Sequence, residues 1–241
     1  MSRRILITND DGIDADGIRK LAEIARGFGE VTIVAPDTQR SAASHHCTFM
    51  RPLTLKKYDF GVDGIKAAYT LDGAPADCAR VGILTLSDDR PDVLLSGINH
   101  GYNISSDIQY SGTIGAALEA AYLGVPAIAV SYGNYEFKAK DILDRYLPEL
   151  LEEYMAKPLP VNRIWNINFP DCRADECAGI LRDVVMDPDD YYSDPLRKEQ
   201  LDDETWTVTA TAKRIWEGPK GSDLDTVVNR YIAIGTVTNL T

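Results

Sequence analysis

The chain has 241 residues, 44% of them apolar and 26% charged, with glycine and proline scattered through it. This is the balance of a globular chain and excludes disorder, collagen and coiled coil. The 25 basic residues against 37 acidic ones give a net charge of −12, which repels phosphate polymers and anionic lipid and argues against nucleic-acid or membrane-surface binding.

An anionic substrate therefore needs a local reversal of the field, and a bound cation is the usual device. Only three apolar residues, Ile5-Leu6-Ile7, precede the polar Thr8-Asn9-Asp10-Asp11, too few for a secretory leader. No run approaches the ~18 apolar residues of a membrane span. Cys47, Cys78, Cys172 and Cys177 lack CxxC and His-linked zinc spacing. They read as free thiols of a cytoplasmic protein, with a Cys172–Cys177 disulfide as the alternative.

Arg4 to Thr8 is an apolar run without alternation, as in a strand buried on both faces, and it ends in Asn9-Asp10-Asp11-Gly12. Ile18, Leu21, Ala22, Ile24, Ala25 and Phe28 recur at helical spacing until Gly29, and Val31 to Ala35 is a second buried strand. This βαβ order requires parallel pairing with a right-handed crossover. The pattern then predicts a helix over Asp77 to Leu86, a strand over Asp92 to Ser96 and a long polar loop over Gly97 to Gly112. A helix over Thr113 to Leu123, a strand over Ala127 to Ser131, a helix from about Ala139 to Met155 and a strand over Trp165 to Phe169 follow. Residues 1 to about 170 thus read as a doubly wound α/β unit with a mainly parallel sheet.

Beyond Pro170 the helical period is lost. An acidic, turn-rich stretch from Asp187 to Pro195 precedes an alternating run from Trp206 to Ile215, which predicts a C-terminal β-hairpin or arm rather than more parallel sheet. An oligomer contact and a covering flap are both open for it. No linker divides the chain, so residues 1–241 read as one domain with its arm region at about 171–241.

Ligands of an open α/β sheet bind beyond the carboxyl ends of the strands. Asp10 and Asp11 follow the first strand, Arg40-Ser41 the second, and Asn99 the strand that ends at Ser96. Two carboxylates, a hydroxyl and an amide oxygen are hard donors, which select Mg²⁺, Mn²⁺ or Ca²⁺. Taken singly, each of these is an ordinary turn or cap residue; it is their recurrence at three strand ends that points to a cation. Ser111-Gly112-Thr113 opens the Ala-rich helix, where small residues and free amides suit either a simple cap or a phosphate.

Asn9-Asp10-Asp11-Gly12, Ala35 to Ser41, Gly73 to Cys78, Ser96 to Asn103 and Ser111-Gly112-Thr113 together resemble the SurE family, the stationary-phase survival proteins, which are metal-dependent 5'-nucleotidases. The five motifs run in order across residues 4 to about 135. The resemblance implies a Rossmann-like core, a C-terminal arm exchanged in a homodimer or homotetramer, and removal of phosphate from nucleoside 5'-monophosphates, with 3'-nucleotides and short polyphosphate as further substrates. It implies one divalent ion per subunit, Mg²⁺ or Mn²⁺, held by Asp10, Asp11, Ser41 and Asn99. Asn9 and Asn103 are counted with Ser111, Gly112 and Thr113 as candidate substrate contacts. The chain departs from the family at Ser44 and Arg230, where glycine is usual, and in lacking a Thr-Pro-Leu and a following His near its C-terminus.

The expected chemistry is direct attack of metal-activated water on the phosphoryl group, since the two Asp are adjacent rather than separated by one residue as in phosphoaspartate enzymes. Asp10, Asp11 and Asn99 are its candidate catalytic residues. His45 is the candidate general acid, against a role in merely positioning its neighbours. Tyr102 and Tyr110 are candidate base-stacking residues or plain surface tyrosines. The alternative from another class is an Mg²⁺-binding phosphoacceptor receiver module, which needs a Lys after the fifth strand; Ser131-Tyr132-Gly133 supplies none.

Overall fold

The computed structural model describes residues 2–86, 90–138, 140–157, 159–189, 191–193, 196–211 and 213–239. In chain order the first elements are β1 (Arg3–Thr8), α1 (Asp16–Ala25), β2 (Gly29–Pro36), β3 (Leu55–Lys57), β4 (Ile65–Leu71), α2 (Pro75–Thr85), β5 (Val93–His100) and α3 (Asp107–Tyr110). They continue with α4 (Gly112–Tyr122), β6 (Ala127–Tyr132), α5 (Asp141–Met155), β7 (Arg163–Phe169), β8 (Gly179–Leu181) and β9 (Tyr192–Ser193). The last are β10 (Leu196–Gln200), β11 (Trp206–Ala210), β12 (Lys213–Arg214), α6 (Asp223–Val228) and β13 (Tyr231–Thr238).

One large sheet has the order β3-β4-β2-β1-β5-β6-β7-β13-β8. From β4 to β7 every pairing is parallel, while β3 joins β4 and β13 joins β7 antiparallel. The apolar runs lack alternation because helices cover both faces. Ile5 and Ile7 of β1 pack with Ile18 and Leu21 of α1 and Leu147 and Leu151 of α5. Leu6, between them, faces Ile83 of α2 and Ala117 and Ala120 of α4. The chain winds outward from β1 through β2 to β4, then returns to β5 on the other side of β1. The switch point, where an open sheet leaves a crevice, therefore lies between the ends of β1 and β5.

Three sequence expectations change. The first is the presence of β3 and β4 between the second expected strand and the helix at Asp77, where the sequence predicts no element; they lie toward one margin of the sheet, and β4 buries only Ala68 and Leu71. In the second, the expected polar loop over Gly97 to Gly112 is mostly structure: β5 runs to His100, α3 forms a turn, and residues 101–105 are buried. Asn103 explains how polar chain goes inside. Its side chain donates to Ser131 Oγ at 2.7 Å, its carbonyl accepts from Asn166 and Asn168 at 2.9 and 3.0 Å, and its amide donates to Asn168 Oδ1 at 2.8 Å. The third is that the region after Pro170 is not all arm, because β13 and β8 extend the main sheet.

The alternating run from Trp206 does form a hairpin, β11 against β10, with β12 against β9 below it. Ala139, the expected start of the helix now called α5, and Pro195, the end of the acidic stretch, lie outside the described residues. All four cysteines are free. Among the described residues no helix is long and apolar enough to cross a membrane.

Candidate active site

The ends of β1 and β5 and the loop after β2 enclose a cavity of about 520 Å³ lined by Asp10, Asp11, Ser41, Asn99, Asn103 and Ser111 among others. Local hydrogen bonds explain the convergence. The Arg40 amide donates to the Asp10 carbonyl at 2.7 Å and Ile13 to the Pro36 carbonyl at 3.0 Å, so the loop bearing Ser41 is tied to the end of β1. Gly12 makes this closeness feasible: its φ is +98°, and a Cβ there would meet the Thr38 backbone at 3.3 Å.

The two carboxylates are held differently. Asp10 is 4% exposed, and accepts the Thr113 hydroxyl at 2.7 Å and the Thr113 amide at 3.2 Å. Burial, then repulsion from Asp11, pushes its carboxyl up to about 6, against the lowering effect of the Thr113 bonds. Asp11 accepts the His100 amide at 3.1 Å and Gln39 Nε2 at 3.4 Å; the same Gln39 nitrogen donates to Ser41 Oγ at 2.9 Å. Asn99 spends its nitrogen on the Gly101 carbonyl at 3.0 Å, which leaves its oxygen as the donor available to a cation. Two adjacent acids, one buried beside the other, together with a hydroxyl and an amide oxygen, are a donor set that fits a divalent hard cation.

The remaining sequence candidates divide. Ser111 caps α4 by accepting the Ile114 amide at 3.1 Å and also reaches the cavity. Gly112 is packed on the acid itself: a Cβ there would lie 2.9 Å from Asp10 Cβ and 3.0 Å from Pro75 Cγ. Thr113 spends both amide and hydroxyl on Asp10. Asn9 is buried, donating to the Gly12 carbonyl at 2.8 Å, and does not line the cavity. His45 lies apart from the cavity, 2.9 Å from Glu119. Tyr102 and Tyr110 do line it.

Sequence reasoning missed Gln39, Asp107, Tyr135 and Tyr192 on the cavity wall. Burial raises the Asp107 carboxyl to about 6, offset in part by Tyr192 and Arg214, and Arg214 lies 4.2 Å over the Tyr135 ring. Gln39 lies within the Ala35–Ser41 motif and is recognisable only by its bonds to Asp11 and Ser41, while Asp107, Tyr135 and Tyr192 come from separate segments that no local motif announces.

In class, then, this is a Rossmann-like α/β protein with an oxygen-lined pocket at its topological switch point. Comparison with known proteins makes this specific. The chain belongs to the SurE family: residues 5–186 match the family described as Survival protein SurE. The 5'-nucleotidase SurE of Thermosipho melanesiensis is 36% identical over 95% of this chain and 89% of its own length. That of Thermoanaerobacter sp. is 45% identical over 70% of this chain, a match spanning 66% of the relative. The crystal structure of the SurE protein from Aquifex aeolicus superimposes with a TM-score of 0.84 at 31% identity, covering 99% of this chain and 94% of that one. This membership sets aside the receiver-module reading.

Proposed function

We propose that this chain is a divalent-metal-dependent 5'-nucleotidase, a phosphoric monoester hydrolase acting on nucleoside 5'-monophosphates, with 3'-nucleotides and short polyphosphate as further substrates. The observation that carries this is the convergence of Asp10, Asp11, Ser41 and Asn99 on one cavity beside the start of α4. The family's relatives bear the name 5'-nucleotidase SurE, which supports the same reading.

One Mg²⁺ or Mn²⁺ per subunit fits the oxygen donors; when bound it polarises a phosphoryl oxygen and eases deprotonation of a water at neutral pH. The chain's own residues supply the rest. Thr113 fixes Asp10, His100 and Gln39 fix Asp11, and the Gly101 carbonyl orients Asn99. Ser111 and the first turn of α4 bring their dipole toward the substrate phosphate. Tyr102, Tyr110, Tyr135 and Tyr192 form the wall on which the nucleoside rests. His45 acts at one remove, anchoring the Ser41 loop to Glu119 of α4.

The chain reads as one domain, placed in the cytoplasm in keeping with its four free cysteines. The exposed β10–β11 hairpin is suited to exchange in a homodimer or homotetramer. The test is phosphate release from a panel of nucleoside monophosphates and short polyphosphates, with EDTA and then each divalent ion. Hydrolysis should vanish with EDTA and return with Mg²⁺ or Mn²⁺; full turnover in metal-free buffer would overturn the reading.

A further inference from the structure

The loop that carries Ser41 continues into a cluster that the cavity does not use. His45 Nε2 lies 2.9 Å from Glu119 Oε2, and the Cys47 sulfur completes a triad whose ligand atoms all lie within 4.8 Å of one another. We propose that His45, Cys47 and Glu119 form a second metal site, selective for a thiophilic divalent ion of the Zn²⁺ type and separate from the oxygen donors at Asp10 and Asp11.

The donor chemistry sorts the two ions. Thiolate and imidazole with one carboxylate suit Zn²⁺, whereas the all-oxygen set suits Mg²⁺ or Mn²⁺. No cysteine–histidine spacing betrays the site in sequence, because the third ligand lies 74 residues beyond His45.

The scaffold is held in place on both sides. Ser44 donates its amide to the Tyr110 carbonyl at 2.9 Å and its hydroxyl to the Gln109 carbonyl at 2.7 Å. Thr48 donates its amide and hydroxyl to Asp77 at 2.7 and 2.9 Å. His45 and Cys47 thus sit in a three-residue span clamped at each end. Glu119 is 5% exposed; Arg80 holds its Oε1 at 2.7 Å, so Oε2, which faces His45 Nε2 at 2.9 Å, is the oxygen the ion takes, inserting between the two in place of their direct contact. Ligand atoms of a tetrahedral site with bonds of about 2.0 to 2.3 Å lie roughly 3.3 to 3.7 Å apart. The three ligand atoms, within 4.8 Å of one another, close to that spacing on binding by rotation of His45 and Cys47, both partly exposed, with water as the fourth ligand.

Charge also closes. Binding releases the Cys47 proton to solvent. The ion and Arg80 are then matched by the Cys47 thiolate and the Glu119 and Asp77 carboxylates, with no charge left over. An occupied site ties the Ser41 loop to α4, the helix whose first turn holds Asp10.

The test is Zn²⁺ titration of the full chain in excess Mg²⁺, read by competition with a chromophoric chelator, with Co²⁺ as a spectroscopic probe. One equivalent per chain should bind, and Co²⁺ should give a thiolate charge-transfer band. Cys47→Ser and Cys47→Ala should lose the band and weaken Zn²⁺ binding on the order of 10²-fold or more, with unchanged circular dichroism. Cys177→Ser should do neither. The Asp10→Asn/Asp11→Asn double variant should keep the Zn²⁺ equivalent. No Zn²⁺ binding under excess Mg²⁺, an unchanged affinity in the folded Cys47 variants, or loss of Zn²⁺ with Asp10 and Asp11 would overturn the proposal.

Discussion

Thr113, the second residue of α4, gives both its hydroxyl and its amide to a single carboxylate, that of Asp10. Small residues at a helix start suggest a phosphate cradle, yet here part of the cradle is spent on orienting an acid. The relationship separates two roles for Thr113 that sequence leaves merged.

Thr113→Val keeps the shape and removes the hydroxyl. Removing such a supporting bond typically lowers metal affinity by about 10- to 100-fold, and a calorimetric Mn²⁺ titration should read that loss with the cap at Ser111 intact. Gly112→Val should lower metal affinity as well, because its side chain would press on Asp10. A rise in KM with wild-type Mn²⁺ affinity would make Thr113 a substrate contact and nothing more.

Asp10 also makes the metal-free protein sensitive to pH. Its folded value, about 6, lies above the ordinary 3.8, so between those values the folded state binds more protons than the unfolded one. Stability contributed by this group is therefore fully present at low pH and is lost as pH rises through that window, by at most about 1.4 kcal/mol per unit. Asp10→Asn should remove this slope and raise the metal-free Tm at pH 7 while abolishing turnover. Added Mn²⁺ should stabilise the wild type increasingly from pH 5 to pH 7, since the ion requires the ionised acid. Thermal melts of both proteins with and without metal check it; parallel pH profiles would show that Asp10 is ionised throughout.

Much of this site is legible in the sequence because of where strands end. β1, β2, β5 and β6 carry short apolar runs buried on both faces, and the polar residues at or after the ends of β1, β2 and β5, namely Asp10, Asp11, Ser41 and Asn99, are the ones the cavity gathers. β4 escaped notice because a strand near the margin buries few of its side chains. β13, which reads Tyr-Ile-Ala-Ile-Gly-Thr-Val-Thr, was absorbed into the expected arm because nothing local says that it returns to pair with β7. Tyr102 and Tyr110 are candidates from the sequence, whereas Tyr135, Tyr192 and Asp107 join them through chain crossings that no single motif encodes.

Two departures from the family pattern coincide with backbone geometry. Ser44 and Arg230, the positions where the resemblance implies glycine, have φ of +51° and +63°, the left-handed region that costs a residue with a Cβ roughly 1–2 kcal/mol. The Arg230 side chain is mainly exposed and its contact with Glu176 is long, at 3.6 Å, so little is lost with it. Arg230→Gly should raise stability by about 1 kcal/mol, or about 2–4 °C in Tm. Arg230→Ala, which keeps the strained geometry, should not. Equal melting temperatures for the glycine and alanine variants would show that this turn stores no strain.

The hairpin offers a test of assembly that leaves the fold alone. Leu196 on β10 is 72% exposed and Val208 on β11 is 59% exposed. Trp206 is also among the exposed large apolar residues, so an apolar surface projects from the chain without a core to cover it. A charged residue there costs a monomer almost nothing, but in an exchanged arm it would be buried against the partner subunit and would destabilise the assembly. Leu196→Glu/Val208→Glu should therefore shift the mass seen by light scattering from dimer or tetramer toward monomer, with circular dichroism unchanged. Turnover should fall with assembly only if the arm contributes to the neighbouring cavity, whose wall includes Tyr192 of the adjoining β9. A wild-type protein that is already monomeric, or a variant that keeps its full oligomeric mass, would remove the hairpin from the interface.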